Sequence, residues 1–235
     1  RTESYLTRLT QVGPQTAKMC ADATDRRLEQ VVRVAINEWG DFAKIVLSDH
    51  QKDGVYHALT APVSVLGGLP GTGKTTSLRA AVRILQDAQV PFLLVAPTGI
   101  AAKNLSARTG ASASTIHRAF AARGKSDRRA AGYAGVEGTG GLVSTQEGTW
   151  GYGPDNPYPA DVVILDEASM LDQILLYRLL QCTKPTARLV FVGDYAQLPS
   201  VGPGNVLREL MHSNVFPVTK LTQIFRQDDT SGIVY

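Results

Sequence analysis

Cysteine is scarce in this 235-residue chain: only Cys20 and Cys182 occur, far apart, with no CxxC or Cys/His cluster near either. That excludes a disulfide scaffold and any zinc site with recognisable ligand spacing, and it suits a reducing, cytoplasmic setting. No apolar run approaches the roughly 18 residues of a membrane span, and no leader opens the chain, so no membrane partner is expected. Charge is also sparse. Charged residues are 19% against an ordinary value of about 25%. Lys plus Arg exceeds Asp plus Glu by only 24 − 21 = 3, an imbalance that permits nucleic-acid contact but cannot alone drive tight binding. The first residue is Arg1 rather than methionine, so a processed chain or a piece of a longer protein is expected.

What is abundant is glycine, 22 residues, an excess expected to sit in functional turns. Residues 1–40 read as helical. Leu28, Val31, Val32, Ala35 and Trp39 share one face, with Asp25 as N-cap and Gly40 as the stop. From Val63 the rhythm changes. Val63–Leu66, Phe92–Val95, Val162–Leu165 and Leu189–Val192 are short runs apolar throughout. Between them lie amphipathic helices: one with Leu78, Ala81, Val82 and Leu85 on a face, one starting near Gly99, and one over Ile174–Cys182. This alternation predicts an α/β domain with a mostly parallel sheet covered by helices, preceded by a small helical segment. The stretch from Ala121 to Ala160 has no sustained apolar period and a basic start (Arg123, Lys125, Arg128, Arg129). It reads as a solvated insertion or as a flap touching nucleic acid.

Gly68-Leu69-Pro70-Gly71-Thr72-Gly73-Lys74-Thr75 fits GxxxxGK[ST] between a predicted strand and a predicted helix. Its glycines let successive N–H groups converge on phosphate oxygens, and the helix N-terminus adds positive potential. Lys74 can reach the β- and γ-phosphates, and the Thr75 hydroxyl can ligate Mg²⁺. Pro70, Gly71, Thr72, Gly73 and Thr76 complete the cradle. The run Val162–Leu165 ends in Asp166-Glu167. Ligands gather at the carboxyl ends of such strands, so Asp166 is expected to hold Mg²⁺ and Glu167 to activate the attacking water. ATP and Mg²⁺ are thus the expected cofactors.

Further motifs follow in order: Ala96-Pro97-Thr98-Gly99-Ile100-Ala101-Ala102, Ser114-Thr115-Ile116-His117-Arg118, Leu165-Asp166-Glu167-Ala168-Ser169-Met170, Val192-Gly193-Asp194-Tyr195-Ala196-Gln197-Leu198-Pro199 and Leu221-Thr222-Gln223-Ile224-Phe225-Arg226-Gln227. Together with the phosphate loop, the set resembles the first RecA-like motor domain of RecD-type DNA helicases, the 5′-to-3′ branch of superfamily 1, from about Leu47 to Tyr235. The resemblance implies roles for single residues. Gln51 reads adenine, Gln197 senses the γ-phosphate, and Arg226 is an arginine finger. Thr98, Gly99, Thr115 and His117 hold single-stranded DNA by its backbone, although His117 can equally be a packed histidine. Trp150, Tyr152 and Tyr158 could stack on bases, or be buried or hairpin aromatics. Leu9–Lys18 resembles one helix-hairpin-helix unit, with Gln11 in place of its usual first glycine.

The implied arrangement is a helical segment at 1–40 and a motor domain at 41–235 with an insertion at about 121–160. The family's second motor domain is absent, so this half-motor is expected to unwind nothing alone. Recombination-nuclease subunits are possible partners. A non-motor P-loop module and the helicase part of a conjugative relaxase are the competing readings. The second would show a histidine cluster and catalytic tyrosines upstream, and none appears.

Overall fold

The computed structural model describes residues 25–121, 143–145 and 148–225. The helix-hairpin-helix resemblance at Leu9–Lys18 and the expected arginine finger Arg226 lie outside them.

Helix α1 (Asp25–Ala43) and helix α2 (Asp49–Thr60) precede the sheet. Next come β1 (Val63–Gly68), α3 (Lys74–Asp87), β2 (Phe92–Ala96), α4 (Gly99–Thr109), β3 (Ala113–Thr115) and the short α5 (Ile116–Phe120). The hairpin β4 (Val143–Thr145) and β5 (Gly148–Trp150) leads into β6 (Val162–Leu165), a 3₁₀ turn (Ala168–Met170) and α6 (Gln173–Cys182). Then β7 (Arg188–Gly193), α7 (Val206–His212) and β8 (Val218–Leu221) complete the described chain. Six strands form one sheet in the order β3-β2-β6-β7-β1-β8, every neighbouring pair parallel. This is the expected α/β, RecA-like class.

Side chains alternate across the sheet, as a period of two requires. Leu94, Ile164, Val190 and Val192 face a core built with Val32, Ile36, Leu59, Leu78 and Leu85 from α1, α2 and α3. Leu93, Val95, Val163, Leu165 and Phe191 face the other core, with Phe120, Leu179 and Leu207. Covering both faces explains why the central strands read as unbroken apolar runs.

Gly40 does not stop α1. The helix runs on to Ala43 and across the expected division between residues 40 and 41. Lys44 takes the left-handed position that glycine usually fills, with φ 54°. Ile45 N–H then donates to Gly40 O (2.9 Å) and Lys44 N–H to Asp41 O (3.2 Å), the paired bonds of a Schellman ending. Gly40 is needed for a different reason: a Cβ there would sit 3.0 Å from Ile45 O.

The end of the expected insertion is packed rather than solvated. Gly151 N–H donates to Phe120 O (2.8 Å) and Tyr158 N–H to Cys182 O (2.7 Å). Trp150, Tyr152 and Tyr158 close around the fully buried Phe120, with ring centroids 6.5, 6.4 and 5.8 Å from it. The structure supports packing for these aromatics: Trp150 is buried and Tyr152 and Tyr158 are half-buried against the same core.

Candidate active site

The sheet order puts β6, β7 and β1 side by side, and the register aligns their carboxyl ends, Leu66 opposite Val192 and Leu165 opposite Phe191. Three loops therefore meet at one edge. Gly67 and Gly68 end β1, Asp166 and Glu167 follow β6, and Asp194 follows β7.

The loop after β1 has the conformation that its glycines permit. Gly71 and Gly73 have φ of 80° and 87°, and a Cβ on Gly73 would collide with the Gln51 amide nitrogen. Gly68 packs so closely that a Cβ would strike the Thr72 hydroxyl and come within 3.2 Å of Leu221 O. Thr72 is buried and donates to Leu69 O at 2.8 Å, pinning the turn. Helix α3 starts at once. Gly73, its N-cap, has no side chain to satisfy the first-turn amides, and the first intrahelical bond is Ser77 N–H to Gly73 O at 3.0 Å. The amides of Lys74, Thr75 and Thr76 are thus available to an anion. Pro70 is exposed at the tip, and Thr75 and Thr76 are half-buried.

Lys74 Nζ folds over the loop and donates to Gly68 O (2.5 Å) and Leu69 O (3.1 Å). Burial pulls this ammonium below its ordinary value, against the opposing pull of the Asp194, Glu167 and Asp166 carboxylates. Burial also pushes the Asp166 carboxyl above its ordinary value, opposed by the Glu167 N–H that donates to its Oδ1 at 3.0 Å. Glu167 is left-handed, φ 55° and ψ 41°, a conformation disfavoured for a side-chain-bearing residue. It turns the chain out of β6 into the 3₁₀ turn.

Gln51 is buried in an unexpected duty. Its Oε1 accepts from Ser48 N–H (2.9 Å) while Ser48 Oγ accepts from Gln51 N–H (3.3 Å), a capping box at the start of α2. The Ser-x-x-Gln spacing carries that signal in the sequence. Gln197 is exposed, and its Oε1 accepts from the Ser169 hydroxyl at 3.0 Å.

The four expected DNA residues lie at the ends of β2 and β3, the other half of the same sheet edge. Thr98 Oγ1 accepts from Ala101 N–H (3.2 Å) and caps α4; Thr115 Oγ1 accepts from Arg118 N–H (3.2 Å) and caps α5. Each hydroxyl therefore has a structural duty and keeps its proton to donate. Gly99 is exposed with open space around it. His117 is exposed, its ring 5.5 Å from that of Trp150, and so is no packed core histidine.

Three neighbours were not singled out from the sequence. Asp194 is buried, and its Oδ1 accepts from Ala196 N–H at 2.9 Å. Ser169 is reached through Gln197. Phe225 N–H donates to Gly71 O at 2.9 Å, and its ring lies 3.7 Å from where a Gly73 Cβ would be. The segment after β8 thereby crosses the phosphate loop.

A phosphate-cradling loop with an acidic pair on the second strand over, at the carboxyl edge of a parallel sheet, defines a P-loop nucleotide-using domain of the RecA-like class. Residues 46–233 match the model of the family described as AAA domain, and the chain belongs to that family, among its RecD-type helicase motor domains. It is 34% identical over 177 residues to the ATP-dependent RecD2 DNA helicase of Deinococcus radiodurans, covering 72% of this chain and 20% of that protein. It is 35% identical over 173 residues to the RecBCD enzyme subunit RecD of Haemophilus influenzae, covering 69% and 26%. The chain thus spans about a fifth to a quarter of the length of these relatives. The Pif1 helicase of Candida albicans has a similar fold, with TM-score 0.50 and 23% identity over 78% of this chain and 41% of that one. Among the described residues, no helix is long and apolar enough to cross a membrane.

Proposed function

We propose that this chain is the nucleotide-binding first motor domain of a cytoplasmic, ATP-dependent 5′-to-3′ DNA helicase of the RecD type. The observation that carries the proposal is the shared sheet edge. Lys74, Asp166 and Glu167 gather on its β6-β7-β1 half, and Thr98, Gly99, Thr115 and His117 lie on its β2-β3 half. Its relatives' names, and the share of their length it matches, support a role inside a larger machine. A second motor domain completes the cleft in this reading, and recombination-nuclease subunits are candidate partners.

The site's residues fit Mg-ATP. Left-handed Gly71 and Gly73 shape a loop that a Cβ would fill, the α3 amides suit phosphate oxygens, and Lys74 would exchange its two carbonyl partners for them. Among the described residues no group of three or more acidic, histidine or cysteine side chains gathers to hold a metal. Magnesium suits the site nonetheless, because it takes one or two carboxylates and keeps water and phosphate oxygens as its other ligands. Thr75 and Asp166 would hold it, and when bound it offsets the charge on the transferred phosphoryl group. Glu167 orients the attacking water and takes its proton. Gln197 senses the γ-phosphate, Gln51 reads the adenine, and Arg226 supplies the finger that offsets developing charge. Thr98, Gly99, Thr115 and His117 grip single-stranded DNA through its phosphates, without reading bases.

Lys74→Ala in the full-length protein tests this reading. ATP hydrolysis is expected to disappear while circular dichroism and melting stay native, because Lys74 is half-buried at the first position of α3 rather than in either core. Normal hydrolysis by the folded variant would sink the assignment.

A further inference from the structure

The 3₁₀ turn that follows Glu167 carries Ser169, which is only 6% exposed and donates its hydroxyl proton to Gln197 Oε1 at 3.0 Å. The two residues belong to different loops, one after β6 and one after β7. The loops approach because β7 ends in Gly193: a Cβ there would lie 3.1 Å from Ser169 N and 3.2 Å from Ala168 N. Both ends of the link are anchored. Met170 N–H donates to Glu167 O (3.0 Å), which ties the Ser169 turn to Glu167, and Gln197 N–H donates to Asp194 O (3.3 Å).

The two ends of a glutamine amide are not equivalent, since the oxygen only accepts and the NH₂ only donates. With the Ser169 hydroxyl donating to Oε1, as here, the NH₂ is left for an anion. Phosphate oxygens accept and never donate when ionised, so only the NH₂ binds them. We propose that Ser169 is a positioning residue. It tethers the Gln197 amide, its donors available to phosphate, and makes the amide's position depend on the turn that carries Glu167. The water-activating carboxylate and the phosphate-sensing amide then move as one unit. The inference rests on Gln197 being the γ-phosphate sensor.

The test compares Ser169→Ala, Gln197→Ala and the double variant in the full-length protein, by steady-state ATP hydrolysis with saturating oligo-dT. Losing one neutral hydrogen bond to a catalytic amide predicts about a 3- to 10-fold lower kcat for Ser169→Ala. KM for ATP should stay within about twofold, because the cradle is untouched. Gln197→Ala should fall further, and Ser169→Ala should add nothing in that background. Wild-type turnover by Ser169→Ala beside an impaired Gln197→Ala overturns the inference and leaves the sensor reading standing. Equal, additive losses overturn it too, because Ser169 would then act through something else. Wild-type turnover by Gln197→Ala removes the sensor reading and this inference with it. Should the alanine variant fail to fold, Ser169→Cys keeps the volume, weakens the donor and is held to the same outcomes.

Discussion

The left-handed backbone at Glu167 separates stability from catalysis at a single residue. With φ 55° and ψ 41°, a side chain at this position costs roughly 1–2 kcal/mol, which glycine does not pay. Glycine returns part of that, roughly 0.4–1 kcal/mol, through its freer unfolded chain. Glu167→Gly should therefore be about 1 kcal/mol more stable than Glu167→Gln. Both variants remove the same charge beside Asp166, so the difference between them isolates the backbone. For a domain of this size that is a melting temperature about 2–4 °C higher for the glycine variant, read by differential scanning calorimetry on the chain. Turnover moves the other way. Both variants lose the carboxylate proposed to take the proton from water, so ATP hydrolysis by the full-length protein should fall about 10²–10⁴-fold. A glycine variant that melts at or below the glutamine variant refutes the strain argument. Wild-type turnover by Glu167→Gln refutes the assignment of water activation.

Asp166→Asn should melt higher than wild type at neutral pH, because burial disfavours the native carboxylate. Its folded pKa is raised, so wild-type stability increases as pH falls through that pKa, and the advantage of the asparagine should shrink there. The same variant should lose Mg²⁺-dependent stabilisation by nucleotide in a thermal-shift titration. His57 gives a second pH signature. Burial lowers its pKa from the ordinary 6.5 while its Nδ1 lies 3.1 Å from Thr219 Oγ1, with Asp53 and Arg33 as the charges that act on it. The unfolded chain takes a proton that the folded chain refuses, so stability should fall on acidification below about 6.5. His57→Gln should flatten that part of the melting curve, and an unchanged slope would show that this histidine is not its source.

The legible parts of this molecule are those whose physics is local. The phosphate loop needs particular residues at particular spacings, and β2, β6 and β7 are apolar because both faces are covered. The strands β3 and β8 escaped notice for the opposite reason. They are the sheet's edges, and Ala113-Ser114-Thr115 and Val218-Thr219-Lys220-Leu221 are too short and too polar to stand out. Gly40 misleads because a glycine near a helix end usually fills the left-handed position, whereas here Lys44 does so and Gly40 makes room for a carbonyl. The capping box at Ser48 was written in the sequence, but a glutamine that matches a nucleotide-reading position draws the eye to ligand. Ser169 and Asp194 were beyond sequence reasoning, since their roles depend on loops that meet only when β6 and β7 pair.

The strand order also sets a timetable for biosynthesis. The strand that carries the phosphate loop is among the first made, yet its two sheet neighbours are β7 and β8, the last two strands of the described chain. From the end of β1 at Gly68 to the start of β7 at Arg188 is 188 − 68 = 120 positions. At the roughly 5–20 residues per second of translation, that is a wait of roughly 6–24 s. During it, β2 and β3 can already pair while Val63-Ser64-Val65-Leu66 offers two open, apolar edges. Such a segment needs shelter from other nascent chains. Nucleotide is no early source of it, because Asp166 and Glu167, the carboxylates proposed for its site, are made only after β6.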